Sequence, residues 1–197
     1  MGETFKVKDL AVYPGHGVGQ IERMEEREIA GTRMRFFILR VLKSEMTVMI
    51  PIDNVAAVGL RKVIGSDQVS RVFKILKERE ISVDTQTWNR RYREYNDKIK
   101  TGSAFQIAEV LRDLCIMKIE KDLSFGERKM LDEARSLLVQ EMAIAKKQAE
   151  EAIAAEIDKI LEKTAQRAST EGVKRPAKAK IPIQQTRARR TVHVASA

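Results

Sequence analysis

The sequence predicts an α+β chain in two modules: a small N-terminal β-barrel of about five strands, then an all-helical bundle of about five helices, then a basic tail. Three observations predict it. Up to about residue 60, short runs suited to extended backbone are separated by Gly, Pro and Asn. After Gly65 the apolar residues change to a helical period. From residue 166 onward eight basic residues stand against one acid, Glu171, in a stretch with Pro176, Pro182 and no periodicity, so this tail is expected to be disordered when free. The module limits read as 1–62, 66–164 and 165–197.

The strand runs are 5–13, 17–24, 33–42 and 46–52. The segment 33–42, RMRFFILRVL, is apolar on both faces at its centre, which suits a closed or strongly curved sheet better than a flat one-sided one. Tyr13-Pro14-Gly15-His16-Gly17 reads as the turn between the first two strands. In the helical region Val69, Val72, Phe73 and Leu76 share a face, with Ser66 and Asp67 as N-cap candidates. Trp88, Tyr92, Tyr95 and Ile99 form the next stripe, and Ile107, Val110, Leu111 and Leu114 a third. Met130, Ala134, Leu137 and Leu138 form a fourth. Ser103 with Gln106, and Ser124 with Glu127, have capping-box spacing ahead of the last two. A final helix, about 149–164, carries Ile153, Ile157, Ile160 and Leu161.

Composition limits the function classes. A length of 197 residues fits one large or two small domains, and 43% hydrophobic with 33% charged residues supports a folded core. The net charge is +9, yet all but +2 of it lies in the tail. No apolar run is long enough to cross a bilayer and the first residues lack the apolar segment of a signal peptide, so a cytoplasmic protein without membrane contact is expected. One cysteine and two histidines leave no disulfide framework and little for a zinc site.

Catalytic patterns are weak. Gly15, Gly17 and Gly19 precede a β-like segment, whereas a phosphate-cradling loop needs a helix after it. His16 has no nucleophile or carboxylate beside it, Cys115 lies in an apolar helix as an inert thiol, and Glu25-Glu26 and Glu150-Glu151 read as solvated faces. No enzyme, no cofactor and no metal is expected.

The segment Thr87-Trp88-Asn89-Arg90-Arg91-Tyr92-Arg93 is more informative. It sets the only tryptophan at a helix start with three guanidinium groups in the next turn and a half. Guanidinium groups match phosphate geometry, and a large flat ring can stack on or wedge between bases. The same spacing also fits an ordinary core stripe with arginines on its wet side. Spacing alone leaves both readings open.

Motifs along the chain resemble the CarD/CdnL family of bacterial transcription regulators. They are Phe5-Lys6-Val7-Lys8-Asp9, Val12-Tyr13-Pro14-Gly15-His16-Gly17-Val18-Gly19, Ile50-Pro51, Val58-Gly59-Leu60-Arg61 and Trp88-Asn89-Arg90-Arg91-Tyr92. Ala108-Glu109-Val110-Leu111-Arg112-Asp113-Leu114 and Leu123-Ser124-Phe125-Gly126-Glu127-Arg128-Lys129-Met130-Leu131 continue the match, in unbroken order from about residue 5 to 161. The resemblance implies a Tudor/SH3-like N-terminal domain that binds the β-subunit lobe of RNA polymerase. It also implies a helical C-terminal domain that contacts promoter DNA, without sequence preference, at the upstream edge of the open-complex bubble. On that basis Trp88 is the inserted ring and Arg90, Arg91 and Arg93 are backbone contacts, while Arg27, Ile29 and Met49 are the polymerase contacts. Met49 departs from the arginine some relatives carry there, replacing a charged contact by an apolar one. The implied protein is a nucleoid-associated monomer. A free DNA-coating protein acting through its basic tail is the alternative.

Overall fold

A computed structural model describes residues 5–78 and 88–171, apart from the side chains of Trp88, Glu120 and residues 168–171. The strands are β1 (Leu10–Tyr13), β2 (Gly17–Ile29), β3 (Thr32–Val41), β4 (Thr47–Pro51) and β5 (Arg61–Lys62). All pair antiparallel in the order β4-β3-β2-β1-β5. The helices are α1 (Ser66–Lys77), α2 (Trp88–Lys100), α3 (Ala104–Glu120), α4 (Phe125–Lys146) and α5 (Glu150–Glu171). The α+β architecture, with five strands ahead of five helices, is therefore the expected one. α5 runs on to Glu171, past the expected end at 164, so the first residues of the expected disordered tail are helical; the tail beyond Glu171 lies outside the described residues.

Two strand limits differ from expectation for local reasons. β1 starts at Leu10 rather than Phe5 because residues 6–9 form a turn: the Asp9 N–H donates to the Lys6 carbonyl at 3.1 Å, with Lys8 at φ +75°. β2 runs on to Ile29 because its charged half pairs with β3 across the Ala30-Gly31 turn, where both residues have positive φ. A bulge between Ile21 and Arg23 interrupts this pairing. The extra residue resets the alternation, so Ile21 points to the sheet core while Arg23, Glu25, Arg27 and Ile29 share the opposite face.

Helix ends also show where local chemistry decides. Ser124 caps α4 as expected: its hydroxyl accepts from the Glu127 N–H at 3.3 Å and the Glu127 carboxylate accepts from the Ser124 N–H at 2.8 Å. Ser103 occupies the N-cap of α3 without a side-chain cap bond, and the other half of the expected box is displaced too, since the Ser103 N–H donates to Thr101 Oγ1 at 3.2 Å instead of to Gln106. At α1 the N-cap is Gly65, one residue before the expected Ser66, and its N–H donates to Gln68 at 3.0 Å.

Two apolar clusters form. One lies within the sheet module, around Phe5, Ile21, Phe37, Leu39, Ile50 and Leu60. The larger joins all five helices, from Val72 and Leu76 through Leu111, Leu114 and Leu138 to Ile153 and Ile157. The modules meet where α4 reaches the β1–β2 turn: the Val18 N–H donates to Gln140 Oε1 at 3.1 Å. Gly17, at φ +91°, allows that approach, since a Cβ there would lie 2.5 Å from Gln140 Oε1.

Candidate nucleic-acid and protein-binding surfaces

The apolar stripe of α2 runs out of the core along its length. Ile99 and Tyr95 are buried at its C-terminal half, where burial first and the Asp113 charge second raise the Tyr95 hydroxyl's pKa. One turn nearer the N-terminus, Tyr92 is 42% exposed. Trp88 opens the helix one further turn out, and its side chain lies outside the described residues. The expected arginines separate here. Arg90 and Arg93 are exposed, three residues apart on one face, with no ion pair among the described residues. Arg91 instead turns inward, its Nη2 donating to Glu127 Oε1 at 3.0 Å.

Glu127 organises this end of the bundle. Its side chain is only 2% exposed, and Lys121 Nζ also donates to Oε1, at 2.9 Å. Burial raises its pKa, but the Lys121 and Ser124 hydrogen bonds outweigh that and hold the carboxyl at about 2. The carboxylate thus ties the first turn of α2 to the start of α4.

Beside this node is an exposed ring that belongs to none of the apolar stripes. Phe125 is 78% exposed, and Arg128 and Lys129, also exposed, share its face at i+3 and i+4. The signal was present in the sequence: if Ser124 caps the helix, Phe125 falls at its first position and off the Met130–Ala134–Leu138 stripe. An apolar ring flanked by cations thus stands at the head of α4, two residues before the Glu127 that holds Arg91 of α2.

The second candidate surface lies on the sheet. Cross-strand register puts Arg27 opposite Met34, Ile29 opposite Thr32, and Met49 opposite Ile38, which also faces Arg23. Alternation therefore places Arg27, Ile29 and Met49 on one face, opposite the Phe37–Leu39–Ile50 core side. Ile29 is 48% and Met49 41% exposed. Arg27 and Arg23 both bind the Glu25 carboxylate, at 2.7 Å each, and these hydrogen bonds, Arg27 first, hold that carboxyl below its usual pKa. The face carries apolar residues beside a charged row.

Elsewhere the chemistry is quiet. Cys115 is half-buried between α3, α4 and α5, and burial pushes its thiol up to about 11. Among the described residues no three His, Cys, Asp or Glu groups gather as a metal site, and no helix is long and apolar enough to cross a membrane.

Comparison with known proteins matches both modules. Residues 5–64 match the CarD-like/TRCF RID domain and residues 71–158 match the CarD C-terminal domain. A Bacillus subtilis (strain 168) protein named "Putative transcription factor YdeB" is 39% identical over 142 residues, spanning 72% of this chain and 92% of its own. The chain belongs to the CarD/CdnL family. Its role is transcription regulation, as the family's is. Among solved structures, CdnLNt of Myxococcus xanthus is 50% identical and covers 32% of this chain and 90% of its own, with a TM-score of 0.28. The 72-residue N-terminal domain of Myxococcus xanthus CarD is 35% identical and covers 29% and 76%, with a TM-score of 0.26. The matched CarD segments include both candidate surfaces: the sheet face falls within 5–64 and the α2 and α4 heads within 71–158.

Proposed function

We propose that this CarD-family chain is a non-enzymatic transcription factor of the bacterial cytoplasm that binds the RNA polymerase β-subunit lobe and stabilises the open promoter complex. Residues 1–62 form the polymerase-interacting domain, 66–164 the DNA-binding domain and 165–197 a basic tail. Arg27, Ile29 and Met49 face the polymerase, and the protein acts as a monomer on the nucleoid. The observation that carries the DNA side is the emergence of the α2 stripe at Tyr92, between exposed Arg90 and Arg93.

The physics favours a wedge at a bubble edge. Prising a base step apart in intact duplex costs a few kcal/mol, and much less where strands already separate. Trp88 is the wedge at that edge. Arg90 and Arg93 contact the DNA backbone, which positions the ring without selecting sequence. Phe125, Arg128 and Lys129 extend the same surface. Arg91 is engaged with Glu127 and holds the head of α2 in place beside these contacts. Attachment to polymerase raises the local concentration, so modest DNA affinity suffices.

Duplex affinity measured against salt checks this. Replacing both Arg90 and Arg93 by Ala should flatten the slope of log affinity against log salt by about 1.8, at about 0.9 per lost phosphate contact. An unchanged slope removes these two residues from the interface.

A further inference from the structure

Helix α2 is fastened at both ends. At its head, Arg91 is held by Glu127 of α4. At its foot, the Gly102 carbonyl in the α2–α3 turn accepts from Arg61 Nε at 2.8 Å, and Arg61 lies on β5. The same guanidinium donates through Nη2 to Glu141 Oε2 at 2.8 Å, and Glu141 Oε1 accepts from the Ile64 N–H at 3.2 Å. The Glu141 side chain is only 3% exposed and that of Arg61 24%, so α4, the strand that ends the sheet, the connection to α1 and the foot of α2 all meet at one part-buried ion pair. Pro14, in the β1–β2 turn, closes the contact: a Cβ on Gly102, at φ +69°, would lie 3.1 Å from its Cγ.

We infer that Arg61 and Glu141 are positioning residues that make α2 a strut of fixed length between the sheet module and the DNA-facing head. This rests on the function proposed above. The strut is 13 residues, about 20 Å. Among the described side chains α2 gives the helical cluster Tyr95 and Ile99, both in its C-terminal half, and Lys98 pairs with Glu109 of α3 at 3.2 Å, so the Arg61–Glu141 fastener adds the tie that fixes the foot of α2 to the sheet module. A wedge carried on polymerase must reach the bubble edge at a set distance, because a linker that lets the head wander lowers its effective concentration there. Arg61 is the suited residue: its planar fork engages a carbonyl and a carboxylate together, which a lysine ammonium does not reproduce.

The test uses the full chain with Cys115→Ser and spin labels on cysteines at Glu28, in the sheet, and Asn89, at the α2 head. The label–label distance distribution is measured with and without Glu141→Gln. Arg61→Lys serves in the same way if Glu141→Gln lowers the folded fraction. The expected result is one narrow distribution that broadens at least twofold in the variant. A second readout is open-complex lifetime without labels. Each fastener variant should shorten it several-fold while polymerase and duplex affinities stay within twofold, and should have no further effect when Trp88 is already Ala. An unchanged distance distribution, or a lifetime loss that adds to that of Trp88→Ala, overturns the inference. Failure of Trp88→Ala itself to alter lifetime, with the distances broadened as expected, would count against the functional reading and leave the strut standing.

Discussion

At Glu127 a single buried carboxylate accepts from Arg91 on α2, from Lys121 between α3 and α4, and from the Ser124 N–H. Because its folded pKa is about 2 against an ordinary 4.5, the unfolded chain takes up the proton first as pH falls. The stabilisation is therefore complete above pH 4.5 and fades as pH drops towards 2, with a ceiling of about 3 kcal/mol. Urea unfolding of the protein and of Glu127→Gln should show that difference at pH 7 and a smaller one at pH 3; a gap independent of pH would deny the charge its role. The three arginines after Trp88 show what a sequence conceals at this scale. Periodicity placed all of them near the wet side of α2, but Arg91 lies within reach of a carboxylate 36 residues away, and only the tertiary fold brings the two together.

The two capping boxes read from the sequence are chemically alike, yet they part company in the fold. Ser124→Ala should cost about 1 kcal/mol, since it removes a hydroxyl that accepts from an orphan helix N–H. Ser103→Ala should change stability by less than about 0.5 kcal/mol, since that hydroxyl caps nothing. Thermal unfolding of both variants checks the contrast, and equal losses would contradict it. Helix existence was legible because the apolar spacing of all five segments is strong, and each stripe found its helix. The loss of the Ser103–Gln106 box was not legible, because it depends on Thr101, whose hydroxyl oxygen takes the Ser103 N–H that Gln106 would have accepted. The second half of β2 was hidden for another reason. Its residues are mostly charged, with no apolar–polar alternation, and the bulge after Ile21 breaks the period-2 pattern that would have revealed it.

For the whole molecule, the sheet and the helices each hold an apolar cluster of their own, and a polar seam of Gln140, Glu141 and Arg61 joins them. This division suits a protein that grips two partners at once. The strong positive charge of the tail is the feature that favours a free DNA-coating protein instead. Deleting residues 166–197 should leave polymerase-dependent stabilisation of the open complex in place. If the tail instead supplied about four phosphate contacts in a coating mode, its loss would remove a salt slope of roughly −3.6 together with all activity.

Whether the Trp88 indole props the bubble open is decided by the lifetime of the open promoter complex, challenged with competitor, in the presence of the protein or of Trp88→Ala. The variant should fold, bind polymerase equally well and leave the complex to collapse several-fold sooner. An equal lifetime with both proteins would contradict it.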